Sequence, residues 1–192
     1  MKPSLRATLL TLLPCLLLAS AALGQGSNTS ERRFGVPFNG TLVLRVPTEW
    51  NAQARQPRWK RPPTITITPA SGEPFRFLVS FRWTMTKTGV LYPMPEEDRA
   101  LVSQAAARAK GRAIEEELPV VEFKGRSGPG YYFSSTDRIA TPEEFKLLTE
   151  GVVRVNDMLV TFTILTNPGQ EDVVKRALEI LKAAEMGPDD PQ

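Results

Sequence analysis

The stretch "EGVVRVNDMLVTFTILTN", residues 150 to 167, is the best-patterned part of this chain, and the architecture follows from how it is read. Two alternating runs meet at Asn156-Asp157, residue types that tolerate the positive φ of a tight hairpin turn. In the second run Val160, Phe162 and Ile164 share one side, and no catalytic group interrupts them. Alternation of period two at this length means paired strands with one face buried, with Phe162 beneath a helix. The hairpin is scaffold.

Working toward the C-terminus, "NPGQEDVVKRALEILKAAEMG" changes the period from two to that of a helix. Val174, Ala177, Leu178 and Leu181 form its apolar stripe; Glu171 and Asp172 suit its start, and Gly187 follows its end. "PDDPQ", residues 188 to 192, is a tail. Toward the N-terminus, "LPVVEFKG" and "GYYFSSTDR" flank "RSGPG" and make another hairpin. "ATPEEF" is a turn in which Thr141 and Glu144 stand at capping-box spacing.

Further back, Pro95 to Asp98 open a second helix whose stripe is Leu101, Val102, Ala105, Ala106 and Ala109. "FRFLVSFRW" places Phe75, Phe77, Val79, Phe81 and Trp83 on one side, with Arg76, Leu78, Ser80 and Arg82 on the other. "TITIT", residues 64 to 68, is a short β-branched strand, whereas "NAQARQPRWKRPP", residues 51 to 63, reads as a loop. Order begins at "RRFGVPFNGTLVLRVPTEW", where alternating runs flank Asn39-Gly40 and Pro47 ends the second. Trp50 then folds back as a core or rim aromatic.

Hairpins and short connections imply a largely antiparallel sheet, and two amphipathic helices must bury their stripes against it. The fold class is α+β, an α/β/α sandwich in one domain over residues 33 to 187, preceded by a loose polar lead-in at 25 to 32. Before that, Lys2 and Arg6 precede the apolar run "ATLLTLLPCLLLASAAL" and small residues up to Gly24. This pattern predicts a secretory signal peptide over residues 1 to 24, with the mature chain starting near Ala22 or Gln25. Pro14 before Cys15 is unlike a lipobox, and Pro14 also breaks a run otherwise suited to a membrane span. A soluble, monomeric periplasmic protein is expected, with no transmembrane segment in the mature chain.

An early "F..P..G.L.L.VP..W" hairpin, a helix inserted midway, "YYF", "G.V.V...L.TFTIL" and a closing "A..IL" helix together resemble the PsbP-like α/β/α sandwich group. The resemblance spans residues 33 to 186. It implies the same sandwich fold and, for function, docking to other macromolecules without enzymatic activity. It carries no catalytic motif onto this sequence.

Chemistry is bounded by what the chain lacks. It has no histidine, and its one cysteine, Cys15, lies in the leader, so imidazole and thiolate catalysis and zinc sites of those ligands are excluded for the rest. Carboxylates cluster at Glu96 to Asp98, Glu115 to Glu117 and Glu143-Glu144, each where acids favour a helix start or a solvated face. No catalytic residue, metal site or cofactor is therefore expected. The balance of 24 Lys and Arg against 21 Asp and Glu loses Lys2 and Arg6 with the leader, so nucleic acid is not an expected partner.

One segment stands out. Arg55, Arg58, Lys60 and Arg61 surround Trp59 with no acid among them, between stiffening prolines. They are the candidate docking residues for an acidic protein face or anionic lipid headgroups, against the plainer reading of a solvated loop. The expected function is a non-enzymatic secreted binding or accessory protein. The alternatives are a carboxylate-dependent hydrolase of cell-wall or carbohydrate material and a carrier using a pocket between sheet and helix. Facing carboxylates would mark the hydrolase, a deep apolar cavity the carrier, and an exposed flat patch the binder.

Overall fold

In the computed structural model, which describes residues 28–37, 39–55, 62–86, 89–91 and 93–188, the stretch 150–167 lies in the middle of a seven-stranded antiparallel sheet. In chain order the described strands are β1 (Thr29–Val36), β2 (Gly40–Pro47), β3 (Trp50–Arg55), β4 (Thr64–Pro69), β5 (Arg76–Arg82), β6 (Thr84–Thr86) and β7 (Gly89–Leu91). After a 3₁₀ turn at Pro95–Glu97 come α1 (Asp98–Ala109), β8 (Val121–Lys124), β9 (Pro129–Thr136), β10 (Leu147–Val155), β11 (Met158–Thr166), α2 (Glu171–Lys182) and β12 (Glu185–Gly187). The large sheet runs β3-β4-β5-β11-β10-β9-β8, a smaller one runs β1-β2-β12, and β6 pairs with β7.

The β10–β11 hairpin has the register its alternation demands, with Val155 opposite Met158 and Gly151 opposite Phe162. Asn156 takes a φ of 54° at the turn, the left-handed value that Asn tolerates better than most residues. Gly151 is needed for a close approach: a Cβ there would strike the carbonyl oxygen of Tyr131 and come within 2.7 Å of the Phe162 ring.

One face of the large sheet carries the main core. Phe77, Val79, Val160, Phe162 and Ile164 pack there with Ala177, Ile180 and Leu181 of α2 and with Leu42, Leu44 and Val46 of β2. On the other face Val102, Ala105 and Ala106 of α1 close over Phe133, Val152 and Leu159. The result is a largely antiparallel α+β sandwich, as the periodicities imply. Phe162 is buried in the cluster that holds the α2 stripe.

Three parts depart from the sequence reading. Residues 51 to 55 belong to a strand rather than a loop: Asn, Ala, Gln and Arg are poor strand formers, but pairing from Trp50–Pro69 to Arg55–Thr64 imposes the conformation. The first hairpin joins a second sheet completed by β12, and β1 begins at Thr29, within the stretch expected to be loose, because its pairing with β2 extends to Thr29–Pro47. Asn39-Gly40 is not the centre of a two-residue turn. Val36 pairs with Gly40, and Gly40 begins β2 at a φ of 87°, a left-handed value that glycine adopts without strain.

A candidate docking face on the open half of the sheet

Strict alternation builds this face. On β4 and β5 the buried positions are Ile65, Ile67, Phe77, Val79 and Phe81, so Thr66, Leu78 and Ser80 turn the other way and stay half-buried. On β11 Thr161 and Thr163 do the same between Val160, Phe162 and Ile164. One complete row reads Gln53, Thr66, Leu78, Thr163, Glu150 across β3, β4, β5, β11 and β10. Arg55, Arg76 and Arg82 are exposed on the same face. Strands β3, β4, β5 and β11 contain no Asp or Glu.

The helix α1 packs over β9 and β10, and its edge forms the wall of a groove of about 210 Å³. Arg82, Arg108, Glu150, Thr161 and Thr163 line this groove. Burial pushes the Glu150 carboxyl above the ordinary 4.5, while Arg108 pulls it the other way. A lone carboxylate between two arginines suits charge recognition better than acid–base catalysis, which needs a second group across the reacting bond.

Under α1 the same face is closed by an ion pair. Arg154 Nε donates to Asp98 Oδ2 at 2.6 Å and Nη2 to Oδ1 at 2.8 Å, with further bonds to the carbonyl oxygens of Pro93 (2.6 Å) and Asp157 (3.2 Å). The bidentate geometry and the two carbonyls satisfy a guanidinium that would otherwise be costly to bury. The sequence reading places Asp98 only as an acid at a helix start; its partner lies 56 residues away and carries no local signal.

The other acid clusters are also engaged within the fold. Burial opposes the charge of Glu115, but the N–H and hydroxyl of Thr136 outweigh it and hold the carboxyl below its ordinary range. Glu144 accepts from the N–H and hydroxyl of Thr141 in the capping box and is lowered by them. Asp137 is lowered by the Ile139 N–H and by Arg112. On the α2 side a cleft of about 250 Å³ is lined by Ser134, Thr136, Thr149, Thr166 and Glu171. Ser134 and Thr149 share a hydrogen bond of 2.8 Å, and the buried Thr166 hydroxyl has no partner among the described residues.

Of the residues the sequence nominates for docking, Arg55 ends β3 and is exposed, opposite Thr64. Arg58, Trp59, Lys60 and Arg61 lie outside the described residues. Trp50 is a core-rim aromatic: it is buried, 4.7 Å from Phe75 between ring centroids, with the Arg176 guanidinium 4.7 Å above its ring. In "GRSGPG", residues 125 to 130, the Gly125 N–H donates to the Gly128 carbonyl at 2.9 Å, and the Arg126 N–H donates to the Lys182 carbonyl at the end of α2. This loop is a hairpin turn. The sequence reading does not nominate the open face as a site, although its signal is present in threonine at alternate positions of "TITIT" and "TFTILT" and in strands without acids.

A largely antiparallel α+β sandwich with one arginine-bearing sheet face left open is the class of protein these elements define. Among the described residues no helix is long and apolar enough to cross a membrane. No family model matches the chain, and no curated protein sequence matches it. Among solved structures it is similar to the solution structure of cyanobacterial PsbP (CyanoP) from Synechocystis sp. PCC 6803, at 12% identity and a TM-score of 0.46, over 88% of this chain and 99% of that one.

Proposed function

We propose that this chain is a non-enzymatic periplasmic binding or accessory protein that docks an acidic protein partner on the open face of its large sheet. The observation that carries this reading is the face itself: exposed Arg55, Arg76 and Arg82 around half-buried hydroxyls, on strands without acids. Arg58, Trp59, Lys60 and Arg61, which follow Arg55 in the chain, extend the basic character and supply an aromatic anchor. The leader pattern at residues 1 to 24 supports export. For the carrier alternative, two open clefts flank α2, one of about 250 Å³ and one of about 350 Å³ between β2 and α2, near the lower end of the about 300–1,000 Å³ that small-molecule pockets occupy.

The test is charge reversal read by binding. Arg76 and Arg82 are exposed, so Arg76→Glu with Arg82→Glu should leave the melting temperature nearly unchanged, and the same is expected of a separate pair, Arg58→Glu with Lys60→Glu. Each pair should weaken capture of the partner from the envelope fraction, and capture by the parent should fall with added salt. Unchanged capture by both pairs refutes the reading. Loss of adsorption to anionic vesicles, with protein capture intact, reassigns the face to lipid.

A further inference from the structure

The two edges of the large sheet are built differently. At one end β8 has only four residues, VEFK, and carries Glu122 and Lys124, with Arg99 across at 3.7 Å from Glu122. Short length and charge are how proteins protect an edge from further pairing. At the other end β3 has six residues, WNAQAR, and no charge before Arg55.

The register shows which backbone groups of β3 face outward. The Ala70 N–H bonds the Glu49 carbonyl at 2.9 Å, so Glu49 and Ala70 form a hydrogen-bonded pair. Antiparallel pairs alternate between bonded and non-bonded. Asn51–Thr68, Gln53–Thr66 and Arg55–Thr64 are therefore bonded, while Trp50–Pro69, Ala52–Ile67 and Ala54–Ile65 are not. Pro69 fits this assignment because it has no N–H to contribute. The N–H and C=O groups of Ala52 and Ala54 point away from β4, toward an edge with no neighbour among the described residues. Their small side chains leave that edge uncluttered, and Asn51, Gln53 and Arg55 project onto the open face beside it.

We propose that the outer edge of β3 takes up an extended acidic segment of the partner as an added antiparallel strand, bonded to Ala52 and Ala54. This deepens the docking reading above and rests on it. The choice of occupant follows from charge: residues 50 to 72 contain no Asp or Glu, Arg55 stands exposed at one end of the edge on the open face, and Arg82 lies two strands further in on the same face. Side chains of an added strand alternate, so acids at every second position lie beside Gln53 and Arg55. The intervening residues then sit over Ala52 and Ala54. The ligand class is an extended peptide alternating acidic and apolar residues, held by main-chain bonds and selected by charge.

The probe is a short synthetic peptide alternating Glu and Val, titrated against the full chain at low salt by fluorescence anisotropy. Ala54→Pro removes an outward N–H and no bond to β4, and proline is tolerated at an edge in that orientation. The variant should melt like the parent and bind the peptide about tenfold more weakly. A second measurement leaves the protein unaltered. Methylating the amides on one alternation of the peptide should abolish binding, and methylating the other should not. Equal binding by Ala54→Pro and by both methylated peptides overturns the added strand. No binding of the peptide, with partner capture still lost on reversing Arg76 and Arg82, overturns it as well and leaves the docking face standing. A dimer of the parent that Ala54→Pro converts to monomer also overturns it, by assigning the edge to a second copy.

Discussion

Arg82 and Arg154 stand in one row of the same sheet face, separated by Leu159, yet the two halves of that face treat them in opposite ways. Arg154 is 5% exposed and held by Asp98 from the first turn of α1. Arg82 is exposed, two strands further out, beyond the edge of the helix. Leu159 between them is buried beneath α1, whereas Thr161 and Thr163 further along its strand are half-buried. The difference lies in the covering element. Where α1 brings a carboxylate down onto the sheet, an arginine becomes structural; where none of the described residues comes down, the same residue type stays exposed.

The sharpest way to break this contrast is Asp98→Ala, which leaves the Arg154 guanidinium buried without its counter-charge. It should cost about 3–5 kcal/mol in urea unfolding, whereas Arg82→Ala should change stability by no more than about 0.5 kcal/mol. Equal losses from the two would erase the distinction between the halves. Phe162→Ala probes the far face beneath both halves, where the ring is buried among the α2 and β5 side chains. It should also cost about 3–5 kcal/mol, and a variant that melted like the parent while losing binding would place this hairpin in a site.

A smaller effect is expected at the boundary. Glu150 has a folded-state pKa raised above its ordinary 4.5. Between 4.5 and that raised value the folded chain holds more protons than the unfolded one, so this group's contribution to stability falls as pH rises through the window and stays low above it. Its charged neighbours in the groove are Arg82 and Arg108. Glu150→Gln should therefore melt slightly above the parent at neutral pH, and the gap should close below 4.5. A gap that widened on acidification would mean that the arginines outweigh burial.

The smallest effect belongs to the open half. Thr66→Ala should alter stability by no more than about 0.5 kcal/mol, because its half-buried side chain faces away from the Ile65 and Ile67 core. A loss comparable to that of a core residue would show that the face is covered and is not a docking surface.

Much of the scaffold was legible because strand and helix periods are local. "FRFLVSFRW" and "TFTILT" disclosed both the strands and the face each would bury. Around β3 propensity is the only local cue and it points to a loop: "NAQAR" is strand-like only once Thr64–Pro69 lies beside it. Arg55 stands out in the sequence through its basic neighbours, whereas Arg76 and Arg82 read only as the polar side of a strand. Knowing that their side stays open requires knowing where α1 stops.

By itself the sequence determined the antiparallel α+β class, the burial side of the central strands and the absence of imidazole, and of any thiol but Cys15. Each of these depends on composition or on neighbours within a few positions. Tertiary structure alone decided that the first hairpin would leave the main sheet for one completed by β12, that Asp98 would meet Arg154, and that α1 would cover one half of a face and not the other. The reason is physical: alternation says which side of a strand avoids water, but the element that supplies the cover is chosen by packing and charge complementarity between segments far apart in the chain.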